Sequence, residues 1–270
     1  MNRPQPRSLR IALPMAALLV LTPAAAGAQP SAAEIAERSL EAFYSAGDDI
    51  RVRVSMALIN SQGKTRRRDM TMLRKDFGSE GEQRYFLFFH APPDVKGMTF
   101  MVWKNPTRED DRWVFIPSLK LVQRIAANDK RSSFVGSDFT HEDVSGRALG
   151  DETHTLLRSE AMEGRRCHVL ESRPKGRADY TRRVSWIDEE RWLPLREEYF
   201  DARGEKVRVF SSDEVEQVSG HWTVTKRTMS NLQTGHRTEV VYEETAYDVG
   251  LEDSLFTERR LRQPPRRWIR

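Results

Sequence analysis

Ile50-Arg51-Val52-Arg53-Val54-Ser55-Met56-Ala57-Leu58 puts an apolar side chain at every second position, with Arg51, Arg53 and Ser55 between them. A repeat of two is that of an extended strand with one face buried and the other wet. Ser61-Gln62-Gly63-Lys64 supplies a turn, and Arg66 to Lys75 returns as a second strand with Met70 and Met72 on one face. The pair reads as a long hairpin. On the N-terminal side the period changes. Ser31 with Glu34 three residues on has capping-box spacing, and Ile35, Ala36, Leu40, Phe43 and Tyr44 fall on one side of a helix that Gly47 can end.

Toward the C-terminus the strand pattern continues at 84–90, 98–104, 112–116 and 120–125. It resumes at 153–160, 166–173, 181–188, 194–201, 206–213, 222–231 and 238–247. That makes about a dozen strands with no helices alternating between them, which disfavours a parallel sheet and predicts a meandering antiparallel sheet curled into a partial or whole barrel. The polar stretch 126–150, punctuated by Gly136, Gly146 and Gly150, is read as a mobile lid or short-helix excursion outside the sheet. No Pro-, Gly- or Ser-rich linker divides residues 29–258, so they are expected to form a single β domain. Residues 259–270 form a basic tail with six Arg, Pro264-Pro265 and Trp268, expected to be frayed.

Arg3, Arg7 and Arg10, the apolar run Ile11 to Leu21, and Ala26-Gly27-Ala28 have the three regions of a secretory signal peptide, cleaved after Ala28. Its removal leaves 41 basic and 40 acidic side chains, so bulk charge gives no argument for nucleic-acid binding. Hydrophobic residues make up 38% and charged residues 31%, which excludes wholesale disorder and a multi-span membrane protein. One cysteine excludes an intrachain disulfide framework, and Cys167 reads as a buried small hydrophobe in a strand.

The fingerprints of common enzymes are absent: no G-x-S-x-G, H-E-x-x-H, Walker A, G-x-G-x-x-G or C-x-x-C occurs. His141-Glu142-Asp143 is the one tempting histidine cluster, but neighbours on a strand diverge, and solvated loop charges explain it better than a metal. Glu189-Glu190, Glu197-Glu198 and Glu243-Glu244 could nominate a glycosidase pair, yet a polar outer face accounts for each. His90, at a strand end, is expected to be satisfied by backbone. No catalytic residue, metal or cofactor is expected.

What the sequence has in excess is apolar surface. Tyr85-Phe86-Leu87-Phe88-Phe89 is apolar on both faces, Met98-Thr99-Phe100-Met101-Val102-Trp103 nearly so, and Trp113-Val114-Phe115-Ile116 is a third such run. A sheet with one covered face needs only one apolar face. Met56, Met70, Met72, Met98 and Met101 add a soft lining suited to variable apolar ligands. Two readings stand: a thick core under a covering helix, and a hydrophobic cavity for a lipid or acyl chain. Strand parity assigns Met98, Phe100 and Val102 inward. Between Phe86 and Phe88 on one face, and Tyr85, Leu87 and Phe89 on the other, parity does not decide.

The stretches Tyr85 to Phe100 and Trp113 to Ile125 resemble the outer-membrane lipoprotein-sorting family, the LolA/LolB-like superfamily. So, most specifically, does Ser133-Phe134-Val135-Gly136-Ser137-Asp138-Phe139-Thr140-His141-Glu142-Asp143-Val144. The resemblance runs from about residue 84 to 147. It implies a mainly β fold: a strongly curved, unclosed antiparallel half-barrel with a few helices packed on the concave face. It implies a periplasmic carrier with no enzymatic activity, shielding the acyl chains of a lipid or lipoprotein on the way to the outer membrane. The partners implied are those acyl chains, an inner-membrane RND-type transporter, and transient contact with a membrane surface. The expected lining is Met56, Met70, Phe86, Phe88, Met98, Phe100, Val102, Trp113 and Phe115, with Phe134 and Phe139 as inward anchors of the lid. The rival reading is a periplasmic sensor or structural module with the same half-barrel and no transported ligand.

Overall fold

A computed structural model of the chain describes Met1, residues 29–78 and residues 81–270. The signal peptide and its cut lie, but for Met1, outside the described residues. The first element is helix α1 (Ala32–Tyr44), where the Ser31 hydroxyl accepts a hydrogen bond from the Glu34 amide at 3.2 Å, as the capping spacing predicts.

Two runs of strands follow. The first is β1 (Asp49–Ile59), β2 (Thr65–Phe77), β3 (Glu82–Ala91), β4 (Thr99–Lys104), β5 (Asp111–Ile116) and β6 (Leu121–Ile125). The second is β7 (Glu152–Met162), β8 (Arg165–Pro174), β9 (Arg182–Asp188), β10 (Pro194–Phe200), β11 (Lys206–Val218), β12 (His221–Asn231) and β13 (His236–Tyr247). A short helix α2 (Glu258–Arg262) lies near the C-terminus.

All thirteen strands join one antiparallel sheet in the order β6-β5-β4-β3-β2-β1-β13-β12-β11-β10-β9-β8-β7. The sheet is the unclosed, LolA-like half-barrel implied above. Bulges at Val52/Val54 in β1, Asp69/Met70 in β2 and Leu156/Arg158 in β7 bend it locally. β1 meets β13 near the middle of the sheet, so the two runs grow outward in opposite directions. β6 and β7 therefore follow one another in the chain but end at opposite edges. The segment between them must cross the full width of the sheet. It does so over the concave face, as two 3₁₀ turns (Ala127–Arg131 and Leu149–Asp151) and a tight loop closed by the isolated bridge Ser133–Thr140.

The two faces of the first run bury different things. On the concave face Val54, Met56, Leu58, Met70, Tyr85, Leu87, Phe89, Phe100 and Val102 join Phe134 and Phe139 of the crossing segment and Phe210 and Met229 of the second run. On the convex face Leu73, Phe86, Met101 and Trp113 pack under Leu251, Leu255, Phe256, Leu261 and Ile269. The tail is therefore not frayed. The Thr99 hydroxyl donates to the Leu261 carbonyl at 2.9 Å, the Trp103 indole to the Phe256 carbonyl at 3.0 Å, and the Arg51 guanidinium to the Trp268 carbonyl at 2.9 Å. Composition misjudged the tail because five of its six Arg residues are exposed while Leu261 and Ile269 hold it down. The double-sided apolar strands thus have two causes, an inner cluster under the crossing segment and an outer one under the C-terminal segment. α1 covers the other end of the concave face, with Ile35 and Ala36 packed on Leu170 and Ile187.

Candidate functional site

The crossing segment is tied down at its middle. The Asp138 amide donates to the Thr238 hydroxyl at 3.0 Å, and that hydroxyl donates to the Asp138 carboxylate at 2.7 Å. The same carboxylate contacts His236 Nδ1 at 2.7 Å. The buried Lys104 ammonium donates to the Gly146 carbonyl at 2.7 Å. Within the loop the Phe134 amide donates to the Phe139 carbonyl at 2.8 Å, and the Ser133 hydroxyl to the Ser137 carbonyl at 2.6 Å. The polar residues that suggested a solvated loop are spent on these bonds.

Between this segment and the sheet lie three clefts in series. The first holds about 820 Å³ of empty space out to its mouth and is walled by Phe89, Met98, Phe100, Val114, Ile116, Ile125, Phe134 and His141 among others. The second, about 430 Å³, is walled by Val54, Met56, Met70, Met72, Leu87, Phe134, Phe139 and Val240 with Asp143 and Arg227 at its rim. Phe134 belongs to both walls, so a single ring partitions them. That ring is 2% exposed and sits 5.2 Å from the Phe100 ring, 6.0 Å from Phe89 and 5.5 Å from His141. Burial, and secondarily Arg112, lowers the His141 pKa to about 4, so the imidazole adds no charge to the first cleft near pH 7, and Asp129 is the one acidic side chain in its wall. The third cleft, about 770 Å³, lies under α1 and is polar: Glu142, Arg147, Glu152, Arg183 and Glu197 line it with Tyr44, Tyr180 and Tyr199. Asp143 borders both the second and third clefts.

Of the eleven residues expected to line a cavity, Met56, Met70, Phe100, Val102, Phe134 and Phe139 lie in the inner cluster, and Met98 packs against it. The other four lie elsewhere. Phe86 and Trp113 belong to the convex cluster, and Phe88 and Phe115 pack against it. Their place on the inner wall is corrected by strand parity: they alternate with Leu87, Phe89 and Val114, which face inward. The residues missed are these three and Tyr85. Pairing would have found them, because Phe89 stands opposite Met70 and Leu87 opposite both Met72 and Phe100. The bulge at Asp69/Met70 shifts that register by one, which alternation alone cannot reveal.

The polar residues also differ from expectation. Glu197 is not on an outer face but bridges Arg183 at 3.3 Å and Tyr199 at 2.6 Å inside the third cleft. Glu142 is paired with Arg147 and Lys130 rather than solvated. His90 is satisfied by a side chain, the Thr71 hydroxyl at 2.9 Å, not by backbone. Cys167 is fully buried in β8, and burial pushes its thiol up to about 11, so it stays protonated. Among the described residues no cluster of three or more His, Cys, Asp or Glu could hold a metal ion. No helix among them is long and apolar enough to cross a membrane.

An open antiparallel half-barrel, plugged on its concave face by the chain that joins its two edges, defines a class of protein. The solved structures that share it agree. A DUF1329 family protein from Desulfovibrio piger is 29% identical, with a TM-score of 0.79 over 85% of this chain and 97% of that one. A Vibrio parahaemolyticus protein described as an outer-membrane lipoprotein-sorting domain is 28% identical, with a TM-score of 0.79 over 86% and 98%. A LolA superfamily protein from Nitrosomonas europaea, 20% identical with a TM-score of 0.67 over 86% and 99%, shares the fold. No curated protein matches the chain in sequence. A family model described as "Uncharacterized protein" matches residues 81–263, and the chain belongs to that family, with the half-barrel fold of the LolA-like structures.

Proposed function

We propose that the protein is a periplasmic carrier, not an enzyme, that takes an acyl chain of a lipid or lipoprotein into the two apolar clefts and shields it on the way to the outer membrane. One observation carries the reading: two apolar clefts meet at a single ring, Phe134, on a segment that is not part of the sheet. Displacing that ring would join them into a continuous apolar channel. Met98 and Phe100 would grip the chain on one side of Phe134, and Met56, Met70 and Phe139 on the other, with thioethers adapting to its shape. Val102, buried beside Phe100, would back the wall. An RND-type exporter as donor fits this role.

The test is retention of a fluorescent fatty acid by the parent and by Phe100→Arg, with melting followed in parallel. A charge on the acyl path costs far more than the chain gains there. The folded variant should lose retention, and a folded Phe100→Arg that retains the probe like the parent would overturn the site. Native mass spectrometry of protein purified from membranes separates the rival sensor reading: bound lipid supports a carrier, a clean apo mass supports the sensor.

A further inference from the structure

The third cleft has no part in holding an acyl chain, yet it is the most elaborately built of the three. We infer that it is a headgroup subsite for an uncharged, oxygen-rich polar head, such as glycerol or a sugar. This rests on the carrier reading above and extends it.

Three observations lead there. The first is position: the cleft shares Asp143 with the second apolar cleft, so an amphiphile whose tail occupies the apolar pair presents its head here. The second is charge. Every carboxylate in the lining is already neutralised: Glu142 by Arg147 at 2.8 Å, Glu152 by Arg183 at 2.7 Å, Glu197 by the same Arg183 at 3.3 Å, and Asp143 by Arg208 at 3.4 Å. A phosphate would find no unclaimed cation and would lie beside four carboxylates, whereas an ammonium would have to displace buried guanidiniums. The third is unmet hydrogen-bonding capacity. The Nε–H groups of Arg147 and Arg183 are buried and make no hydrogen bond within the protein. The Arg147 side chain is 7% exposed. Buried donors of this kind seek oxygen acceptors, and hydroxyl, ether or ester oxygens supply them without bringing charge. Tyr180 and Tyr199, edge to face with ring centroids 5.1 Å apart, add an aromatic corner against which a polyol can lie.

The experiment uses one tail and three heads. The full chain is loaded with the apolar fluorophore N-phenyl-1-naphthylamine and titrated, below their micelle concentrations, with monolauroylglycerol, dodecyl phosphate and dodecyltrimethylammonium. Monolauroylglycerol should displace the fluorophore at a concentration about tenfold lower than either charged competitor, as expected when a matched head satisfies buried donors. Arg147→Met keeps Glu142 paired through Lys130 at 3.2 Å, so it should fold. It should erase the preference while leaving fluorophore affinity within about twofold, since the apolar clefts are untouched. If that variant does not fold, Leu40→Trp, which fills the cleft from α1, is read the same way. Equal displacement by all three heads, or best displacement by dodecyl phosphate, overturns the inference and leaves the carrier reading standing. Failure of the fluorophore to bind at all overturns both.

Discussion

Replacing Phe134 by alanine separates a cavity wall from a packed core, because the protein contains its own control. Phe134 is 2% exposed and Phe86 is 0% exposed, so burial alone predicts equal costs. Their surroundings differ. Phe86 is enclosed by Leu73, Met101 and the C-terminal segment. Phe86→Ala must therefore forfeit both the transfer free energy and a cavity term, about 4 kcal/mol in all. Phe134 already borders empty space on both sides. Its removal enlarges open clefts rather than creating a sealed void, so only the transfer part is lost, about 2 kcal/mol. For a domain of this size that is a fall in Tm of about 6 °C for Phe134→Ala against about 12 °C for Phe86→Ala. Lipid retention should move the other way. Phe134→Ala joins the two clefts and should hold chains of 16 carbons or longer at least as well as the parent, an order-of-magnitude matching of chain to pocket size. Phe86→Ala, if folded, should leave retention unchanged. Differential scanning calorimetry and retention of fluorescent fatty acids of graded length read both effects. If Phe134→Ala costs as much stability as Phe86→Ala, or abolishes retention of every chain length, Phe134 is a packing residue and the two clefts are not one path.

Three further outcomes are expected. His141 titrates near 4 when folded against 6.5 ordinarily, and burial near Arg112 is the cause, so the unfolded chain takes up the proton first as pH falls. The stability contributed by the neutral ring is full above about 6.5 and lost progressively toward 4. Urea midpoints for the parent should fall across that window and those for His141→Phe should fall less, a residual slope coming from His90 and His154, which burial shifts in the same direction; parallel curves would refute the role of His141. Deleting residues 259–270 uncovers Phe86 and Trp113 and removes buried Leu261 and Ile269, which should lower Tm by roughly 10 °C or more at 1.5–3 kcal/mol per side chain. We propose that the basic tail makes the membrane-surface contact that the resemblance implies, and changing Arg259, Arg260, Arg266 and Arg267 to Gln should then weaken flotation with anionic vesicles at low salt; unchanged flotation with folded protein would remove the idea.

The strand content was legible because one covered face imposes a repeat of two, and each strand from 50 to 247 carries enough of that repeat to be found. The capped first helix was legible for the same reason at a different period. Curvature was not legible from alternation. It follows from bulges and from β1 pairing with β13, a contact between residues nearly two hundred positions apart. The inner wall was half legible. Met56, between Ser55 and Ala57, and Met70, between Asp69 and Thr71, could be assigned by alternation, whereas Phe86 to Phe89 could not, because both faces are buried against different partners. The polar cleft was invisible. Glu152, Arg183 and Glu197 come from three strands, and nothing in a local window marks a surface carboxylate from one buried against a guanidinium.

Topology also bears on how such a carrier could release its cargo. A 16-carbon chain fully buried represents roughly 12 kcal/mol gross, too much for ready transfer unless occupancy costs something elsewhere. The crossing segment is where that cost can arise. Its ends are fixed by the opposite edges of the sheet and its middle by Asp138, so it cannot swing away as a whole. On the carrier reading the part that would move is the turn at Phe134, whose ring packs on Phe89 and Phe100 of the sheet. The next residue, Val135, is β-branched yet has φ +47°, a left-handed conformation costing about 1–3 kcal/mol. The turn therefore stores strain beside the ring that divides the clefts. Opening would relieve that strain but expose Phe134, and closing would rebury Phe134 and restore it. The two terms are of similar size, a few kcal/mol, and opposite in sign. A segment so balanced can yield to an entering chain without a large barrier and return when the chain leaves. On the carrier reading, the tight anchoring at Asp138 and the strained turn at Val135 are two halves of one device: the first keeps the plug in the barrel, and the second lets only the partition move.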